Sequence, residues 1–231
     1  MLLVDEMKRD CSSAPNVYTY NLIIQMMCLT TNLEKEIALG EIGVSNSYES
    51  VKCDSMTLDQ ITDEAKKEYM TSKASIESTA LTVHKYLNVI DEMKEIGNRK
   101  CRPNVYTYNL ILKGFLGLVL DGNSFDHDFV VNNCIDIFSE MKEDPHNQPD
   151  MVTFSTIMRT LYFVASKSRC SKTIDLVVEL YGQSKTLFIP NKVLSNIVVN
   201  TLSLRTCQGD ADSASTMLSI IEDVLSFRID G

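Results

Sequence analysis

The 231-residue chain is 44% hydrophobic and carries 31 acids against 22 bases, a net charge of −9, with no Trp, 5 Pro and 9 Gly. That hydrophobic content excludes a disordered chain and suits one or two folded domains. The apolar runs fall well short of the roughly 18–20 residues needed to span a bilayer, so no membrane partner is expected.

Seven cysteines (Cys11, Cys28, Cys53, Cys101, Cys134, Cys170 and Cys207) stand singly, without a C-x-x-C pair. Such a scattered set reads as reduced thiols in an intracellular compartment. His84, His127 and His146 have no companion ligand at metal spacing; surface or packing roles are expected of them, and no metal or cofactor. The opening MLLVDEMKRD has no signal-peptide apolar core and no Arg/Ser-rich transit character.

The first predicted element starts after Pro15-Asn16, at Val17-Tyr18-Thr19-Tyr20-Asn21-Leu22-Ile23. Residues 30–79 follow, with ten acids against five lysines, where a short turn between helices is expected. Leu58, Ile61, Ala65 and Tyr69 recur there at helical spacing. The segment is either a loop with an extra helix or an extension of the next helix; in both cases its acids are expected on a solvated face. Val83, Tyr86, Leu87, Ile90 and Met93 then mark an amphipathic helix ending in Ile90-Asp91-Glu92-Met93-Lys94.

At Pro103 the opening motif returns unchanged as Pro103-Asn104-Val105-Tyr106-Thr107-Tyr108-Asn109-Leu110-Ile111. Its helix continues through Leu112, Phe115, Leu118 and Val119. A further amphipathic helix carries Val130, Val131, Cys134, Ile135, Phe138 and Met141, and Phe138-Ser139-Glu140-Met141-Lys142 repeats the earlier ending. Looser copies of the opening begin at Pro149-Asp150-Met151-Val152-Thr153-Phe154-Ser155 and at Pro190-Asn191-Lys192-Val193-Leu194-Ser195-Asn196. The last helix is expected from Ala211 to Phe227. Each Pro-Asn or Pro-Asp suits a helix start, its polar side chain capping free backbone N–H groups.

One hairpin cannot bury its own apolar face, so such units must stack. The fold expected is all-α: an α-solenoid of about four helix-turn-helix hairpins. The chain would begin in the second helix of one unit and leave apolar surface at both ends, as expected of a fragment of a longer array.

The run P-N/D-V-x-T-Y-N-x-I, followed by I/F-x-E-M-K and another P-N/D, resembles the pentatricopeptide repeat, whose units run roughly 35 residues. The resemblance covers the chain outside residues 30–79 and implies a right-handed superhelix. It divides the chain into 1–16 (the end of a truncated upstream repeat), 17–104 (a repeat with the acidic insertion), 105–150, 151–191 and 192–231 (a terminal repeat). The first three full units are longer than the family's, at 88, 46 and 41 residues.

The resemblance implies single-stranded RNA as partner, one base per unit, in a mitochondrion or plastid, in RNA processing, stability or translation. The implied readers are the fifth and last residues of each unit: Asn21 with Asn104, Asn109 with Asp150, Ser155 with Asn191, and Asn196. The implied target core is pyrimidine-U-A. The second residues, Tyr18, Tyr106, Val152 and Val193, would wedge against bases; the two tyrosines either stack there or pack between hairpins. Asn16, Asn104, Asp150 and Asn191 are also plausible as helix caps alone. Tyr20, Tyr108, Phe154, Met7, Met93 and Met141 are expected in the core.

The lysine that the family often carries near the end of the first helix is missing, with Leu29, Gly117, Phe163 and Leu204 at the matching positions. Together with the net charge, this predicts weak, salt-sensitive binding. No Gly-rich phosphate loop, H-E-x-x-H, G-x-S-x-G or zinc-deaminase motif is present, so neither catalysis nor a small-molecule substrate is expected. The alternative function is a protein–protein scaffold, whose groove would be acidic or apolar where an RNA-binding groove would be basic.

Overall fold

The computed structural model describes residues 15–28, 79–120, 126–168, 170–189, 192–206 and 210–226, with side chains through 222. These form eight helices and no strand: α1 (17–28), α2 (79–95), α3 (Val105–Leu120), α4 (His127–Glu143), α5 (Met151–Ser168), α6 (Ser171–Leu187), α7 (Lys192–Thr206) and α8 (Ala211–Ser226). The acidic segment 30–78, Met7, Leu29 and Asn191 lie outside the described residues.

The Pro-Asn and Pro-Asp pairs start helices through a reciprocal cap. Asn104 Oδ1 accepts the Thr107 N–H at 2.9 Å, while the Asn104 N–H donates to Thr107 Oγ1 at 3.2 Å. Asn16 with Thr19 and Asp150 with Thr153 repeat the arrangement. In each case two donors that the first turn leaves free are satisfied locally. Asp126 caps α4 through the Phe129 N–H at 3.0 Å. At the other end of α2, Gly97 takes φ 62°, a left-handed value that suits glycine, and its N–H reaches the Lys94 carbonyl.

The helices form two layers. The first helices pack on one another in order, α3 on α5 and α5 on α7. Each of α4, α6 and α8 lies against the first helix of its own hairpin. Between the layers runs a continuous core: Tyr20 and Ile24, Tyr86 and Met93, Ile111 and Phe115, Phe154 and Leu161, Leu194 and Val198. Phe138 meets Phe154 edge-on at 5.2 Å, carrying the core from one unit into the next. Cys134 is fully enclosed in it, and burial pushes its thiol up to about 12. Cys28, Cys101 and Cys170 are likewise not in disulfides.

The buried face of α4 is rotated slightly from the expected one. Val130, Cys134, Ile137, Phe138 and Met141 are buried, whereas Val131 and Ile135 are half-buried. The buried set follows the helical repeat more evenly, and Ile137 completes it.

Further polar contacts hold the hairpins, within units and between them. The tyrosine at the fourth position of a unit donates to the glutamate of that unit's second helix, Tyr20 to Glu92 at 2.9 Å and Tyr108 to Glu140. Burial, and then the bond to Glu140, raise the Tyr108 hydroxyl well above the ordinary tyrosine range. Lys94 bridges to Glu140 of the next unit at 2.7 Å. In the following unit Phe154 lacks the hydroxyl, and Gln183 stands where the glutamate would; Lys142 donates to it at 3.4 Å. The inter-unit loops also stack: Cys101 Sγ donates to the Pro15 carbonyl at 2.8 Å, and Asn147 Nδ2 to the Pro103 carbonyl at 3.1 Å.

Candidate nucleic-acid interface

Residues two, five and nine of each first helix follow one another at three- and four-residue steps, so they share a face. The second residues stand out from it: Tyr18 is 68% and Tyr106 50% exposed, and Val152 and Val193 are exposed as well. Tyr106 also touches the preceding hairpin, accepting a hydrogen bond from Gln25 Nε2 at 2.7 Å.

The fifth residues, implied above as base readers, are not all exposed. Asn196 is exposed and Ser155 half-buried, but Asn21 and Asn109 are only 7% and 6% exposed. The reason is a seam between units. Thr107 Oγ1 lies 2.8 Å from Asn21 Oδ1 and 3.0 Å from Asn104 Oδ1, its single proton serving one of them at a time. Thr153 Oγ1 sits likewise between Asn109 Oδ1 at 2.8 Å and Asp150 Oδ1 at 2.9 Å. Asn109 Nδ2 donates to Asp150 Oδ1 at 3.1 Å.

The structure therefore brings together Asn21 with Asn104 and Asn109 with Asp150, each pair joined through the next unit's threonine. Ser155 turns its hydroxyl to the Val152 carbonyl at 3.1 Å, and its companion Asn191 lies outside the described residues. Asn104 is exposed and Asp150 half-buried, so the closing residues form the open side of the seam. Burial raises the Asp150 carboxyl, but hydrogen bonds from the Thr153 N–H, Asn109 and the Thr153 hydroxyl outweigh it and hold the group below the usual carboxylate range. Asn109 still has one N–H and one carbonyl lone pair to offer a ligand edge.

Sequence reading missed Thr107 and Thr153 as members of the site. Their signal was present, since the Thr of the opening motif recurs in three units at the third helical position, where a capping box places it.

Charge is sorted between the layers. Among the described residues α1, α3, α5 and α7 contain no Asp or Glu; their charged side chains are Lys113, Arg159, Lys167, Lys192 and Arg205. The helical acids lie on the second helices, among them Asp91, Glu95, Asp136, Glu143, Asp175 and Glu222, and the remaining described acids lie in linkers, Asp150 among them at the seam. None of the described helices is long and apolar enough to cross a membrane, and no cluster of metal-ligating side chains occurs among the described residues.

Stacked helical hairpins with a repeated polar seam on one layer define a helical-repeat protein. Residues 82–117, spanning most of α2, the linker and α3 through Gly117, match the family model of the pentatricopeptide repeat domain, which supports a pentatricopeptide repeat protein. A comparison with curated proteins found no match.

Proposed function

We propose that the chain binds single-stranded RNA along the layer of first helices, one base per hairpin, as an RNA-processing, -stabilising or translation factor of a mitochondrion or plastid. The observation that carries the reading is the charge sorting. A chain of net charge −9 keeps every acid off the first helices that are described, while their surface holds lysine, arginine, amides and hydroxyls. Phosphates are repelled by the outer layer and admitted by the inner one. Asn109 with Asp150, Asn21 with Asn104, and Ser155 and Asn196 are the base-reading groups in this account. Tyr18 and Tyr106 are the stacking surfaces, each worth about 1–3 kcal/mol per base. The organelle and the one-base register come from the family.

The experiment is direct titration of the protein with short single-stranded RNAs of all four base compositions at several salt concentrations. Binding with a negative salt slope and a preference for a pyrimidine-U-A core supports the reading. No RNA binding at low salt, with capture of a defined peptide instead, supports a protein scaffold.

A further inference from the structure

Four residues beyond each fifth-position side chain, one turn further along the same face, stand Gln25, Lys113, Arg159 and Asn200. Gln25 is engaged with Tyr106. Lys113 and Arg159 are exposed, and neither makes a hydrogen bond or ion pair among the described residues. Two other bases of this layer are occupied: Lys167 donates to the Val119 carbonyl at 2.5 Å, and Arg205 bridges to Asp175 at 2.7 Å, while Lys192 stands at the first position of α7 and not on this face.

α3 and α5 pack directly on each other, so the two cations stand at the same helical height on neighbouring units. Helices in such contact lie roughly 8–10 Å apart. The described first helices carry no Asp or Glu beside them, and the nearest acid the seam offers, Asp150, is already held by Asn109 and Thr153.

We propose that Lys113 and Arg159 clamp two phosphates of a single-stranded RNA backbone, one phosphate per unit, beside the bases held at Asn109 and Ser155. The clamp rests on the RNA reading above and adds the backbone contact that Gly117 and Phe163, one turn further on, cannot supply. Lys113 acts as a mobile point charge, and the Arg159 guanidinium presents a planar fork to two phosphate oxygens. Neither group reads sequence, so the contribution is uniform over RNAs and screened by salt.

The test compares wild type, the double variant Lys113→Gln/Arg159→Gln and an outer-layer control, Lys85→Gln/Lys172→Gln, which removes the same charge from exposed positions of α2 and α6. The probes are short RNAs differing at one base, titrated from low to moderate salt, with a thermal melt of each protein to establish that it is folded. The clamp predicts that the inner double variant loses about 1.4 from the slope of log affinity against log salt, about 0.7 per phosphate on a single strand. It also predicts an equal loss of affinity for every RNA, base preference intact, and an unchanged control. An unchanged slope in the folded inner variant, or an equal loss in the control, overturns the clamp while leaving RNA binding standing. Absence of RNA binding by wild type overturns the RNA reading, and the clamp falls with it.

Discussion

Thr153 donates from its hydroxyl to a buried amide oxygen of Asn109, 2.8 Å away in the preceding unit, while Asp150 accepts its backbone N–H at 2.8 Å. Thr107 stands in the same relation to Asn21 and Asn104. One short side chain thus finishes the cap of its own helix and closes the seam with the unit before it. The fifth-position Asn, which gains nothing from its own helix, is held in place by its neighbour.

Replacing Thr153 by Val keeps the shape and removes the hydroxyl. Asn109 Oδ1 then loses its donor in a nearly closed environment, a loss of about 1–3 kcal/mol. Denaturant unfolding of Thr153→Val measures it. Thr153→Ser, which keeps the hydroxyl, is expected to recover most of the difference.

Two glycines of α3 separate packing from helix propensity. A methyl group at Gly114 would lie 3.0 Å from two ring carbons of the buried Tyr86, whereas one at Gly117 meets nothing within 4 Å. Gly114→Ala is expected to destabilise by about 1–3 kcal/mol through overpacking. Gly117→Ala is expected to stabilise by about 0.5–1 kcal/mol. Thermal melts of the two variants check the opposite signs.

Tyr108 and Glu140 are replaced together in the following unit by Phe154 and Gln183. The pair is therefore expected to couple: Tyr108→Phe and Glu140→Gln each destabilise, and the double variant loses less than their sum, by about 1 kcal/mol. A double-mutant cycle in urea measures the coupling. Additive losses would place the stability in packing alone.

Much of this architecture is legible in the residues themselves. The Pro-Asn repeats mark helix starts at Val17 and Val105, and the apolar spacing of Tyr108, Ile111, Leu112 and Phe115 marks the buried face. Contacts between units are less legible, because they join residues 86 or 44 positions apart, such as Thr107 with Asn21 or Asn147 with Pro103. Local periodicity carries no information about such pairs. For the same reason the burial of Asn21 and Asn109, over which the next hairpin closes, was not legible. Charge sorting was also hidden in the net figure of −9, which averages over two layers of opposite character.

Asp150 gives the seam a pH dependence. Its folded-state carboxyl is held below the ordinary range, so the stabilisation is fully present above the unfolded value of about 3.9 and is lost as pH falls through the lower folded value. Asp150→Asn keeps a capping oxygen but no titrating group, so its stability is expected to fall less than that of wild type below about pH 4. Melts from neutral to acid pH compare the two curves. Parallel curves would mean that Asp150 contributes no net proton linkage.

The base-reading account is tested most directly at Asn109. A threonine there still offers Thr153 an acceptor and is tolerated in a helix as well as asparagine, but it cannot donate an amide N–H to Asp150. Competitive binding of four RNAs differing only at the middle base, at fixed salt, is measured for wild type and Asn109→Thr. The account predicts that wild type prefers U and that the variant shifts towards G, with a discrimination of about 1–2 kcal/mol, in the lower range of good base-edge contacts. If both proteins bind all four RNAs alike, Asn109 and Asp150 are a structural seam and not a reader of sequence.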